Sequence, residues 1–181
     1  NKYFEMVKRE SAAAFGNDGL LVEKYILNPR HIEVQVLLDG NDNSFHFFER
    51  ECSVQRRHQK IIEEAPSPFI GEDEELRQRI CGEALRLSKA VNYDSAGTVE
   101  FIMGEDRNFY FLEMNTRIQV EHTITEEITG IDLIVCMIQI ALGEGMGIPS
   151  QEWITRSGHA IECRICAEDP VTYTPAPGKV T

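Results

Sequence analysis

Two pairs of alternating segments set the tightest limit on how this chain can fold. Residues 31–40, HIEVQVLLDG, alternate polar and apolar side chains. DGNDN then reads as a tight turn, and SFHFFEREC, 44–52, as the returning strand. A period of two is the period of a strand. AGTVEFIMG, 96–104, and NFYFLEMN, 108–115, repeat the arrangement around Glu105-Asp106-Arg107. Strands joined by short turns pair antiparallel. The helical patterns lie between the hairpins and not after every strand, so the class is α+β with a mostly antiparallel sheet and packed helices.

The remaining elements follow from periodicity. Residues 2–15 form an amphipathic helical pattern that Gly16-Asn17-Asp18-Gly19 breaks, and LLVEKYI, 20–26, reads as a strand. The acidic run Glu72–Glu75 favours a helix N-terminus, and Leu76, Ile80, Ala84, Leu87 and Val91 share one face of that helix. Thr123-Ile124-Thr125-Glu126 fits a capping box, Gly130 ends the helix it opens, and IDLIVCMIQIAL is apolar almost all round, which predicts a buried helix. HAIECRICAED, 159–169, alternates as a last strand.

Bulk properties exclude several classes. The 181 residues, 42% hydrophobic and 27% charged, suit a folded domain with a core of its own. No apolar run approaches the roughly 20 residues of a membrane span. A formal charge of −12 repels nucleic acid and acidic membranes, so any anionic substrate needs a local basic cluster. Five scattered cysteines suit a reducing compartment. Cys163 and Cys166 form a lone CxxC, which reads as structural. The N-terminus has no apolar signal core, and the chain reads as a segment of something longer.

The chemistry concentrates in EMNTRIQVEH, 113–122, where Glu113, Asn115, Arg117, Gln119 and Glu121 recur at every second position. In an extended chain they line one edge at intervals of about 6.6–6.8 Å. A hairpin closing symmetrically about Asp106-Arg107 puts Glu100 opposite Glu113. Like charges there repel unless a divalent cation lies between them. Two carboxylates and Asn115 are hard oxygen ligands suited to Mg²⁺ or Mn²⁺; the alternative is that both glutamates face water. Arg117 offers a planar fork for a small oxyanion, Gln119 can share it, and Glu121 beside it is a candidate general base. A solvated edge strand is the competing reading. Gln55-Arg56-Arg57-His58-Gln59-Lys60 supplies the basic cluster, or else an ordinary basic loop. Arg164 shares a strand face with Glu162 and Glu168, where an ion pair is the plain alternative.

Taken together, ERECSVQRRHQKIIEEAP, GTVEF, FLEMNTRIQVEH, EEITGIDL and GHAIECRICAEDP resemble the biotin carboxylase subunits and domains of biotin-dependent carboxylases, from about residue 20 to the end. The resemblance implies an ATP-grasp fold, with 1–25 as the end of the lid lobe and 26–181 as an incomplete core lobe. It implies that Glu23, Lys24 and Ile26 link the lobes and read adenine, and that His31, Gln55 and His58 contact ribose and phosphates. Glu100 and Glu113, with Asn115 adjacent, become metal ligands for Mg²⁺ or Mn²⁺. Lys60, Arg117, Gln119 and the main chain of Val120 become the bicarbonate site, Glu121 the base, and Arg164 the group that steadies the biotin enolate.

The implied reaction is ATP-dependent carboxylation of biotin through carboxyphosphate. The implied partners are a biotinyl carrier, a carboxyltransferase component and a second copy of the chain, with no nucleic acid and no membrane. The implied place is the cytoplasm, or the mitochondrial matrix in a eukaryote. Thr123 stands where many relatives carry proline. The family's glycine-rich loop and an ATP-contacting lysine are expected before Asn1, so the segment alone is expected to be inactive. An ATP-grasp ligase with another acceptor, and a non-catalytic nucleotide-binding fragment, are the competing functions.

Overall fold

The computed structural model of the protein describes residues 2–40 and 43–179. Its centre is a six-stranded antiparallel sheet of β1 (Arg30–Leu38), β2 (Ser44–Arg56), β3 (Gln59–Ala65), β4 (Ser95–Met103), β5 (Phe109–Asn115) and β6 (Ala160–Cys163). The order is β5-β4-β1-β2-β3-β6, so β1 and β2 are central. Four helices accompany it: α1 (Lys2–Phe15), α2 (Glu74–Ala90), α3 (His122–Thr129) and α4 (Leu133–Ala141).

The alternation of β1 sorts its side chains between two environments. Ile32, Val34 and Val36 meet Val99, Phe101 and Met103 of β4 and are covered by Leu76, Ile80 and Ala84 of α2. Burial of this kind stabilises by about 25 cal/mol per Å² of apolar surface. Asp73 caps α2 by accepting from Leu76 N at 3.0 Å. On the other face, Leu37, Phe47 and Ala96 pack with Leu133 and Cys136 of α4. His31, Glu33 and Gln35 share that face towards the other end of β1, and there the site lies.

Both hairpins form where the alternation places them. Residues 41 and 42 of the DGNDN turn lie outside the described residues; beside them Asn43 N donates to Asp39 Oδ1 at 3.2 Å. In the β4–β5 hairpin Glu100 is indeed the partner of Glu113, but not by symmetric closure. Phe101 pairs with Phe111, so Leu112 is an extra residue, a bulge next to the carboxylate pair.

Six expectations about the elements fail. Val91 lies past the end of α2 and is exposed. LLVEKYI forms no strand; Leu21, Val22 and Tyr25 are exposed and pair with no neighbouring strand among the described residues. EMNTRIQVEH is strand only as far as Asn115 and then bends, ending in a turn in which His122 N donates to Gln119 O at 3.3 Å. The capping box is not made: Glu121 occupies the cap without a side-chain bond to the helix N-terminus, and Thr123 Oγ1 donates to Glu162 instead. In α4 only Leu133 and Cys136 are buried, while Ile134, Val135 and Ile138 are exposed. The last strand stops at Cys163, four residues long. Gly130, at φ 69°, ends α3 as expected.

Candidate active site

Strand register assembles the site before any loop contributes. Glu113, Glu100, Glu33 and Arg50 are successive partners across β5, β4, β1 and β2. Three carboxylates and one guanidinium thus lie in one row, and Glu100, Glu33 and Arg50 are buried. Buried charges persist only when paired and hydrogen-bonded. Arg50 meets that demand in full. It donates to Glu33 Oε1 at 2.6 Å, Gln35 at 2.8 Å, Thr125 at 3.0 Å, Gln119 Oε1 at 3.1 Å and Thr98 at 3.2 Å. Gln119 is thereby oriented, and its Nε2 donates to Glu100 Oε1 at 2.8 Å.

Lys60 enters from the tight turn between β2 and β3. Arg57 and His58 take positive φ there, which makes Gln55 and Lys60 partners across the strands. The ammonium reaches Glu33 Oε2 at 2.5 Å, Glu100 Oε1 at 2.7 Å and Glu121 Oε1 at 2.8 Å. Glu121 Oε2 accepts from Arg164 Nη2 at 2.8 Å, and Arg164 Nε donates to Glu63 Oε1 at 2.7 Å. A chain of alternating charge therefore runs Arg50, Glu33, Lys60, Glu121, Arg164, Glu63.

The electrostatics follow from these contacts. Burial pushes the Glu121 carboxyl up, but the bond and charge of Lys60 outweigh it and hold it below its ordinary value. Glu100 is likewise pushed up by burial, yet His31 and Lys60 bring it down to about 2. Burial works against the Lys60 ammonium, and the charge of Glu33 leads the contributions that raise its pKa regardless. All three groups are therefore ionised at neutral pH. His31 Nε2 lies 2.6 Å from Glu100 Oε2, and its Nδ1 lies 3.0 Å from Gln55 Nε2.

These groups open into a cleft of about 710 Å³. Ile26, His31, Gln55, His58, Lys60, Glu100, Glu113, Asn115, Arg117, Gln119, Val120, Glu121 and Arg164 all line it. Glu23 and Lys24 do not; the Lys24 ammonium sits over the Tyr110 ring at 5.1 Å. Arg117 is exposed, and among the described residues no carboxylate lies within ion-pair distance of it. Its guanidinium donates only to Ile118 O at 3.1 Å and, at 3.4 Å, to Asn115 Oδ1. A cation without a counter-ion at the cleft suits an anionic ligand.

Glu100 and Glu113 are paired across β4 and β5 and both line the cleft, so two hard oxygen donors face it together, while Asn115 turns its Nδ2 towards them and donates to Glu100 Oε1 at 2.8 Å and Glu113 Oε1 at 3.4 Å. Such ligands suit Mg²⁺ or Mn²⁺.

The basic cluster divides. Arg56 turns away to Glu168 at 2.6 Å and stacks on Tyr173, so Glu168 is not beside Arg164 as the alternation implied. Glu162 accepts from Thr123. Cys163 and Cys166 are free thiols. Glu33, Gln35, Arg50 and Glu63 belong to the site beyond the residues that the sequence motifs mark. Glu33 and Gln35 had a signal, since they share the face of His31 in a strand that proves central. Arg50 and Glu63 had none beyond lying within quoted motifs.

The sheet, its helices and the cleft have the arrangement of an ATP-grasp core. The chain belongs to the family described as carbamoyl-phosphate synthase L chain, ATP binding domain, which matches residues 1–148. It is 54% identical over 180 residues to biotin carboxylase 2 of Bacillus subtilis, covering 99% of this chain and 40% of that protein. It is 57% identical over 166 residues to the mitochondrial methylcrotonoyl-CoA carboxylase subunit alpha of Rattus norvegicus, covering 92% of this chain and 23% of that one. A solved relative is the biotin carboxylase domain dimer of the Hydrogenobacter thermophilus 2-oxoglutarate carboxylase, in complex with MgADP, ADP and bicarbonate. It matches at a TM-score of 0.85 and 48% identity, over 96% of this chain and 38% of that one. The chain thus spans less than half the length of these relatives. No helix among the described residues is long and apolar enough to cross a membrane.

Proposed function

We propose that the full-length protein carrying this chain carboxylates biotin at the expense of ATP and bicarbonate. The observation that carries the reading is the Glu121 carboxylate, ionised and held between Lys60 and Arg164 in a cleft that the unpaired Arg117 also lines. Bicarbonate is a poor nucleophile and needs a base. Glu121 takes its proton as the bicarbonate oxygen attacks the γ-phosphorus of ATP, which releases ADP and leaves carboxyphosphate. Lys60, Arg117, the Gln119 amide and the Val120 N–H hold the anion in place. Carboxyphosphate breaks to CO₂ and phosphate, the phosphate takes the ureido proton of biotin, and the enolate attacks CO₂ beside Arg164. Glu100, Glu113 and Asn115 would hold Mg²⁺ or Mn²⁺, which when bound neutralises charge on the phosphates.

His31, Gln55 and His58 are assigned to ribose and phosphate contacts, and Glu23, Lys24 and Ile26 to the adenine. Residues 26–181 are assigned to the core lobe and 1–25 to the end of the lid lobe. Glu23 and Lys24 then meet nucleotide only when the lobes close over it. The partners are a biotinyl carrier and a carboxyltransferase component. The relatives serve carboxylases of different names, so the proposal covers their shared biotin half-reaction. The isolated segment is expected to be inactive.

The test is ADP release by the full-length protein with Mg²⁺, ATP and bicarbonate, with and without free biotin. Biotin should stimulate release, and Glu121→Gln should lower it by ~10²–10⁴-fold, the usual cost of a lost base. Release indifferent to biotin but raised by another nucleophile sinks the substrate. Near-normal turnover in Glu121→Gln sinks the base.

A further inference from the structure

The proposed chemistry leaves one buried carboxylate of the charge chain unused. Glu63 on β3 is fully buried, and its Oε2 has no hydrogen-bond partner among the described residues. An arginine facing a single carboxylate commonly makes two parallel bonds to it. Arg164 does not. Its Nε donates to Glu63 Oε1 at 2.7 Å, while Nη2 reaches away to Glu121 Oε2 at 2.8 Å. The split leaves Glu63 Oε2 stranded, and a buried acceptor without a donor is costly.

The sheet explains how the split is held. Glu63 pairs with Glu162 across β3 and β6, and the ladder runs on past β6, with Arg164 N donating to Ile61 O at 2.9 Å. Ile61, Glu63, Glu162 and Arg164 therefore share a face, with Glu63 and Arg164 as diagonal neighbours within reach of a long side chain. The backbone of Arg164 is fixed by Ile61 and its Nε by Glu63. Its far end is then left to meet Glu121 at the cleft.

We propose that Glu63 is a positioning residue: it anchors Arg164 by Nε so that the rest of the guanidinium faces Glu121 and the acceptor's place in the cleft. Glu63 touches no reactant itself. The kinetic part rests on the biotin-carboxylation reading above; the geometric part does not.

The experiment uses the full-length protein with Glu63→Ala and Glu63→Gln. The alanine variant should lose about 10²-fold in kcat/KM for free biotin, the scale of a misplacement near 1 Å. Biotin-independent, bicarbonate-dependent ADP release should fall far less. The glutamine variant should recover most of the loss, because its amide oxygen still accepts from Nε. A crystal structure of the alanine variant should show Arg164 released from Glu121. Parental kcat/KM in the alanine variant, with or without a lower melting temperature, overturns the role. So does equal impairment of both variants, or an Arg164 that stays on Glu121 without Glu63. If the unsubstituted protein shows no biotin-stimulated release, the proposed function fails, and the crystal structure alone decides the anchor.

Discussion

Glu33 on β1 and Glu100 on β4 stand directly opposite each other, both buried, and a single ammonium from Lys60 spans them at 2.5 and 2.7 Å. Directly opposed like charges destabilise a sheet. Here they build a seat for a cation that also touches Glu121. Replacing Lys60 by Met removes the shared counter-charge from three carboxylates. At least one of them should then titrate roughly one to three units above its ordinary value, since like charges and burial both favour the neutral form. Carboxyl-carbon NMR titration of the Lys60→Met protein should show a new transition above pH 5. A titration unchanged from the parent sinks the claim that Lys60 sets the ionisation of this group.

Arg50 is the other organising cation, and its five bonds join β1, β4, α3 and the Gln119 segment. Arg50→Met leaves the buried Glu33 without its closest guanidinium, with Lys60 at 2.5 Å and the His31 ring at 4.0 Å. Breaking a buried pair in this way costs about 3–5 kcal/mol. Urea unfolding should show that loss of stability. A loss below about 1 kcal/mol would place Arg50 with the interchangeable surface ion pairs.

His46 gives a pH dependence with a definite sign. It is buried on β2, its Nδ1 lies 3.4 Å from Phe48 N in the accepting role, and its ring meets Phe48 edge-on. Burial lowers its pKa to about 4 against an opposing pull from Glu74. The folded state therefore keeps His46 neutral where the unfolded chain, with a histidine pKa of about 6.5, takes up a proton. Stability is fully present above pH 6.5 and is lost as pH falls towards 4, by about 3 kcal/mol in all. His46→Leu should flatten the slope of unfolding free energy between those limits. An unchanged slope would assign the acid sensitivity to other groups.

Gly97 on β4 has no room for a side chain. A Cβ there lies 2.7 Å from the Tyr93 ring and 3.2 Å from the Met114 methyl. Tyr93 is anchored, its OH donating to Ala96 O at 2.8 Å. Gly97→Ala should cost about 1–3 kcal/mol through overpacking, read as a lower melting temperature. The double variant with Tyr93→Leu should recover part of it.

What the sequence disclosed depended on whether pattern and environment agree. HIEVQVLL and the two β4–β5 segments disclosed their hairpins because alternation is a local property. The same alternation does not say whether the polar face is wet or buried, and that hid Glu33 and Gln35 until β1 proved central. LLVEKYI and the exposed face of α4 misled for the opposite reason. Apolar content implies burial only when something packs over it. The alternation of EMNTRIQVEH implies a straight edge. Its residues do converge on one cleft, but through a bend and a turn after Asn115, so the even spacing along an edge does not hold. The resemblance named Lys60, Glu121 and Arg164, which the fold then brought together. It did not name Arg50 or Glu63, whose partners lie far off along the chain.

The bulge at Leu112 has a consequence for how the hairpin tolerates change. On its turn side, Phe111 follows the face that packs towards α2; on its other side, Leu112 and Glu113 both look into the cleft. The strand thus carries two independent phases, one tuned to the helix and one to the carboxylate row. The turn at Gly104–Asn108, which Arg107 ties to Asp73 Oδ2 and Phe69 O at 2.7 Å, therefore sets the phase of Phe109–Phe111 and not that of Glu113. β5 behaves as two short rulers joined by a slip ring, and the chemistry is read from only one of them.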